Sequence, residues 1–187
     1  MLNHKFFSTE QFKHSLDVTF IENALIDLLV RATDQELVHF GMKKGVMQLV
    51  ESNIQQEILA KLGHKHPEIE LGGSAANAAR ACAILGGKTC YSSCIGEDEN
   101  GKAFAHRLKS LDIHNRLVIS SSLSTGSCVV VVTPDFERTL NTYLGACTAY
   151  TPFDVPYEEI KNSKIFFSTG YMLDTQNQIE ALHAAFD

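Results

Sequence analysis

Leu71-Gly72-Gly73-Ser74-Ala75-Ala76-Asn77-Ala78-Ala79 is the stretch on which the fold turns. Before it, Ile69-Glu70-Leu71 reads as a short strand. After it, Ser74 to Leu85 reads as a helix that Gly86-Gly87 ends. Two glycines between strand and helix remove every Cβ where a ligand could approach the main chain. The first-turn amides of the helix are then free to meet oxygen atoms. Ser74 is placed to cap, and Asn77 to point its amide toward a hydroxyl. The same Gly-Gly-Ser also suits a tight β–α turn with no ligand. No Gly-Lys-Ser/Thr ending follows, so there is no phosphate-gripping lysine of the P-loop kind. Ser74 and Asn77 stand where a dinucleotide fingerprint needs glycine, which disfavours a Rossmann oxidoreductase.

Working outward, Thr89 to Ile95 reads as a strand and Asn100 to Leu111 as an amphipathic helix, joined by the turn Gly96-Glu97-Asp98. Lys164 to Ser168 is a buried-type strand and Thr175 to Phe186 begins a helix. Strand–helix alternation of this kind implies parallel β-α-β units, hence an α/β fold. Other segments read as strands of a small separate sheet: two short strands within Val18 to Arg31, one at Val46 to Val50, and a hairpin over 127–144 turning at Pro134-Asp135-Phe136-Glu137. Leu117 to Ser120 is a further strand and Tyr157 to Asn162 a short helix. Thr33 to Glu36 opens a helix with Asp34 as its cap, and Gly41 stops it. Ile54 to Leu62 is a second helix, ended by Gly63. The final helix reaches Asp187 with no stop signal, so the chain is expected to break off within an architecture.

The 187 residues suit one domain with one respectable core. A net charge of −6 without any basic cluster argues against nucleic-acid binding. The five cysteines are odd in number and form no C-x-x-C pair, so they read as reduced, mostly buried residues of a cytoplasmic protein. Met1 to Leu16 lacks the apolar run of a signal peptide. The longest aliphatic stretch, Val129 to Val132, is too short to span a membrane.

Three polar features bear on chemistry. Asn23 and Asp27 interrupt an apolar segment, where a carboxylate costs energy unless it is hydrogen-bonded. One carboxylate and one amide together suit vicinal hydroxyls; the solvated side of an edge strand is the alternative. Arg138 lies on a polar strand, where it could steer a phosphate or hydroxyl or simply face solvent. Gly96 to Gly101 imitates a calcium loop but holds Gly96 and Arg107 at two ligand positions, so that reading fails and Asp98 reads as a helix-start residue. His64 and His66 flank Lys65 in a polar loop and read as solvated, and no metal ligand is assigned.

These residues resemble the ribokinase-like (PfkB) carbohydrate kinases, in particular the adenosine-kinase-like branch. The family's first signature runs Gly-Gly, a short gap, Asn-x-small, six residues, Gly, nine residues, Gly. Gly72-Gly73, Asn77, Ala79, Gly86 and Gly96 match it at every spacing. Asn23-Ala24-Leu25-Ile26-Asp27 resembles the family's N-terminal substrate strand, and Arg138 to Ala146 the lid strand of its nucleoside-kinase members. The resemblance implies a three-layer α/β/α sandwich, present here in part, with a small β-sheet lid. It also implies transfer of the ATP γ-phosphate, with Mg2+, to a primary hydroxyl of a nucleoside or sugar, adenosine foremost. Asp27 would hold ribose hydroxyls with Asn23 beside it. Gly72, Gly73 and Asn77 would line the sugar pocket, and Arg138 would sit near the ribose or the transferred phosphate.

Two positions depart from the family pattern: Glu22 stands where glycine is usual, and Thr169-Gly170-Tyr171 replaces Glu-Gly-Tyr. The second signature, Asp-Thr-x-Gly-Ala-Gly-Asp, and the metal motif Asn-x-x-Glu are absent from the 187 residues, so no residue is assigned as catalytic. The resulting expectation is the substrate-side, N-terminal part of a kinase, inactive alone and lacking the main ATP and Mg2+ residues. The alternative is a non-catalytic remnant that binds nucleosides or dimerises through its lid strands.

Overall fold

A computed structural model describes residues 15–63 and 65–187. His64 and the segment 1–14 lie outside the described residues, and with them the readings of the histidine pair and of most of the N-terminal stretch.

Among the described residues, nine strands form two sheets. The first contains β1 (Leu16–Ile21), β5 (Thr89–Gly96), β6 (His114–Ser120) and β9 (Ser163–Ser168), ordered β6-β5-β1-β9 and parallel throughout. β5 is buried along its whole length, as the central strand of a doubly covered parallel sheet should be. The second contains β2 (Leu25–Arg31), β3 (Met47–Leu49), β4 (Glu68–Gly72), β7 (Gly126–Val132) and β8 (Arg138–Tyr143), ordered β3-β8-β7-β2-β4 and of mixed direction.

Helices α3 (Ser74–Ile84) and α4 (Glu99–Ser110) cover one face of the parallel sheet, packing Ala76, Ala79, Phe104 and Leu108 against Phe20 and Tyr91. The alanines of α3 let the helix sit close to the strands. On the other face, Ile21 and Cys94 meet a cluster from the 3-10 turn Gly145–Ala149, from Tyr150 and Val155, and from α6 (Gln176–Phe186). Near that cluster lies the short α5 (Tyr157–Lys161). The result is the expected three-layer α/β arrangement. In the second sheet, α1 (Asp34–Phe40) and α2 (Ser52–Lys61) bury Leu37, Phe40 and Ile58 on Val30, Val129 and Val131. The opposite face of that sheet remains free to line a cleft.

The structure alters several expectations. The 18–31 segment is divided between the sheets: β1 joins the parallel core, and only β2 belongs to the second sheet. Strand 69–71 is no part of a parallel β-α-β unit either, because β4 pairs antiparallel to β2 at the edge of the second sheet. Its first three residues, Glu68, Ile69 and Glu70, are all exposed, which fits that edge better than a sheet interior. Thr33, not Asp34, caps α1: its hydroxyl accepts the Glu36 amide while Glu36 reaches back to the Thr33 amide. Gly41 ends that helix as expected, at φ 76°. Asp98 caps α4 through the Gly101 amide at 2.8 Å. Ser74 does not cap α3; Gly73 occupies that position and brings no side chain.

Candidate functional site

The cleft lies at the carboxyl ends of β1 and β9, where ligands of open α/β sheets bind. It measures about 280 Å³, near the lower end of small-molecule sites. Three walls meet there: Glu22 and Asn23 after β1, Gly73, Ser74 and Asn77 at the start of α3, and the free face of the second sheet. Tyr171 and Asp174, following β9, close it.

The sheet wall follows from strand periodicity. Leu25 and Asp27 on β2, Cys128 on β7, and Arg138, Leu140 and Thr142 on β8 all line the cleft. Alternate residues share a face, and the register sets Asp27 beside Cys128 and Cys128 beside Thr142. On β3, Met47 and Leu49 add an exposed apolar flank. The sheet wall therefore mixes apolar side chains with Asp27, Arg138 and Thr142, and the facing wall is polar.

Asp27 is half-buried, and among the described residues no donor hydrogen-bonds its carboxylate. Burial pushes its pKa above the usual value, the Arg138 charge opposes this, and Glu70 adds to it. A carboxylate so placed has its lone pairs available for hydroxyl donors. Gly72 does not itself line the cleft, but a Cβ there would collide with the Asp27 carboxyl. Gly73 holds φ 93°, and a Cβ on it would lie 2.6 Å from the Asn23 carbonyl oxygen. Both glycines are thus required by what faces them.

The other expected residues are also at the cleft, in different states. Asn23 is a strut as much as a ligand group: its Nδ2 donates to the Tyr171 carbonyl at 3.2 Å, and its Oδ1 accepts from Gln178 Nε2 at 2.5 Å. The exposed Asn77 accepts from Arg80 through Oδ1 at 3.2 Å. Arg138 is exposed at the rim, opposite in charge to Asp27.

Several contributors were not singled out in the sequence. Gln178 is wholly buried and fixed by Thr175, whose hydroxyl donates to its Oε1 at 2.9 Å. Only its polarity within a helical apolar stripe could have flagged it. Glu22, noted as a departure, is 2% exposed: its Oε2 accepts the Ala75 amide, and its Oε1 accepts the Thr169 hydroxyl at 2.7 Å. Burial raises the Glu22 pKa, and those two hydrogen bonds oppose the rise. Met47, Leu49, Leu140 and Asp174 became visible only with the strand register and the turn after β9 in hand.

The cysteines are all free, and Cys82 alone is not fully buried. Burial pushes the Cys128 thiol up to about 11 and the Cys147 thiol to about 12, so neither is a nucleophile at neutral pH. Among the described residues, no group of three or more His, Cys, Asp or Glu side chains is arranged to hold a metal ion. No helix among them is long and apolar enough to cross a membrane.

Comparison with known proteins agrees with this geometry. Residues 40–187 match the model of the pfkB family carbohydrate kinases. The adenosine kinase of Dictyostelium discoideum is 29% identical over 168 residues, covering 86% of this chain and 48% of that protein. Among solved structures, a probable sugar kinase from Rhizobium etli superposes with a TM-score of 0.84 at 30% identity, covering 91% of this chain and 53% of its own. An adenosine kinase from Sinorhizobium meliloti gives 0.82 at 30% identity, with the same coverage. The chain spans about half the length of these relatives. By its matched residues, its two-sheet fold and its Gly-Gly cleft, the chain belongs to the pfkB family of carbohydrate kinases.

Proposed function

We propose that this chain is the substrate-recognising part of a kinase whose acceptor is a nucleoside, adenosine foremost, or a sugar, and that alone it binds without transferring phosphate. The observation that carries the reading is the Asp27 carboxylate, which faces the cleft without a protein donor. A vicinal diol supplies two O–H donors to such a group. The apolar flank of Leu25, Met47, Leu49 and Leu140 favours a nucleoside over a bare sugar, since a planar base gains by leaving water against it. Relatives described as adenosine kinases support the same choice.

ATP would supply the phosphoryl group and Mg2+ would shield its charge in the whole enzyme. The Gly-Ala-Gly-Asp signature is missing from the 187 residues, and on that ground the chain is read as lacking the main groups that would hold the pair. Phosphoryl transfer depends on positioned charges of that kind. Incubating the chain with adenosine, ATP and Mg2+ should therefore yield no AMP, while calorimetry should register adenosine binding. AMP formed by the purified chain would overturn the inactive part of the reading.

A second reading, self-association through the lid, is favoured by Ile69, which is 66% exposed on the edge strand β4. Light scattering that shows a monomer at tens of micromolar would remove it.

A further inference from the structure

Glu22 places a carboxylate oxygen against the first turn of α3. The first amides of a helix and the positive end of its dipole attract anions. In α3 the capping residue Gly73 offers no side chain, so the donor at Ala75 is met from outside the helix, by Glu22 Oε2. The other oxygen takes the Thr169 hydroxyl at 2.7 Å, tying the end of β1 to the segment after β9. Glu22 is fully buried yet belongs to the cleft's lining, together with Gly73 and Ser74. Asp27 and Asp174 line the same cleft, and Arg138 is its one cation.

We propose that Glu22 is the specificity-determining residue that closes this cleft to anionic ligands. Its carboxylate occupies the α3 amide as a built-in anion, and with Asp27 it repels a phosphate or carboxylate, leaving neutral polyols as acceptable ligands. The proposal deepens the nucleoside-or-sugar reading and rests on the cleft of that reading. Thr169 and Glu22 are hydrogen-bonded partners, so the side chain at 169 starts within reach of the Glu22 carboxylate.

The test uses the full chain, with inorganic phosphate as the probe and melting temperature as the readout. Glu22→Gly vacates the Ala75 amide and should acquire a phosphate-dependent rise of about 3–6 °C at ten times the dissociation constant. Wild type should show none, and neither should Glu22→Gln, which keeps a neutral acceptor on the amide. The double variant Glu22→Gly/Thr169→Glu, which returns the carboxylate from the other side, should lose the response again. Glu22→Ser serves the same purpose if the glycine variant does not fold. A folded Glu22→Gly or Glu22→Ser without a phosphate response overturns the proposal, as does an equal response in wild type. Adenosine titrated into the same proteins reports separately on the neutral-ligand reading, so the two failures are distinguishable.

Discussion

The carboxyl group of Asp27 fills the space that a Cβ on Gly72 would need, across the antiparallel pairing of β2 with β4. The glycine is thus a condition for the acid's position, and the two act as one feature of the cleft.

Gly72→Ala is expected to displace the Asp27 side chain. Overpacking of this kind costs about 1–3 kcal/mol. At this chain length, each kilocalorie lowers the melting temperature by about 2–4 °C. Adenosine affinity should fall with it, and thermal melts with and without adenosine measure both.

Asp27→Asn should stabilise the fold at neutral pH. Burial raises the Asp27 pKa in the folded state above its ordinary value, so its ionisation opposes folding. The sign follows: that residue's contribution to stability is fully present below the unfolded pKa and is lost as pH rises through the folded one. The melting temperature of the asparagine variant relative to wild type should therefore climb across that window and then level off. A constant difference from pH 3 to 8 would show that the acid carries no such cost.

Gln178→Ala removes the donor to Asn23 Oδ1 and the acceptor of the Thr175 hydroxyl, both at the core of the cleft's support. An unsatisfied buried polar group costs about 1–3 kcal/mol, and the lost packing adds to that. Melting should shift down by several degrees. Adenosine binding should weaken as well, because Asn23 also holds the Tyr171 carbonyl.

Much of this was legible in the sequence for physical reasons. Gly72-Gly73 before a run of small residues announces a strand-to-helix turn, and the periodicity of 89–95 and 100–111 is that of a strand and a helix packed together. Asp27 stood out because a carboxylate in an apolar run needs a purpose. What stayed hidden depends on long-range pairing. Nothing local tells that Leu16–Ile21 and Leu25–Arg31, four residues apart, enter different sheets. Nor could the sequence show that Glu22 meets Thr169, or Asn23 meets Gln178, because those contacts exist only once β9 lies beside β1. The 3-10 segments after β8 and β9 carry no periodic pattern, so Asp174 had no signal beyond its type, and Tyr171 none beyond its place in Thr169-Gly170-Tyr171.

Calorimetric titration of adenosine into wild type and Asp27→Asn tests the central claim most directly. The account predicts saturable one-to-one binding by wild type and at least a tenfold loss in the variant, the scale of about 1.4 kcal/mol expected when hydrogen bonds to a charged acceptor are removed. Absence of heat and of any melting shift with wild type, or undiminished affinity in Asp27→Asn, would contradict it.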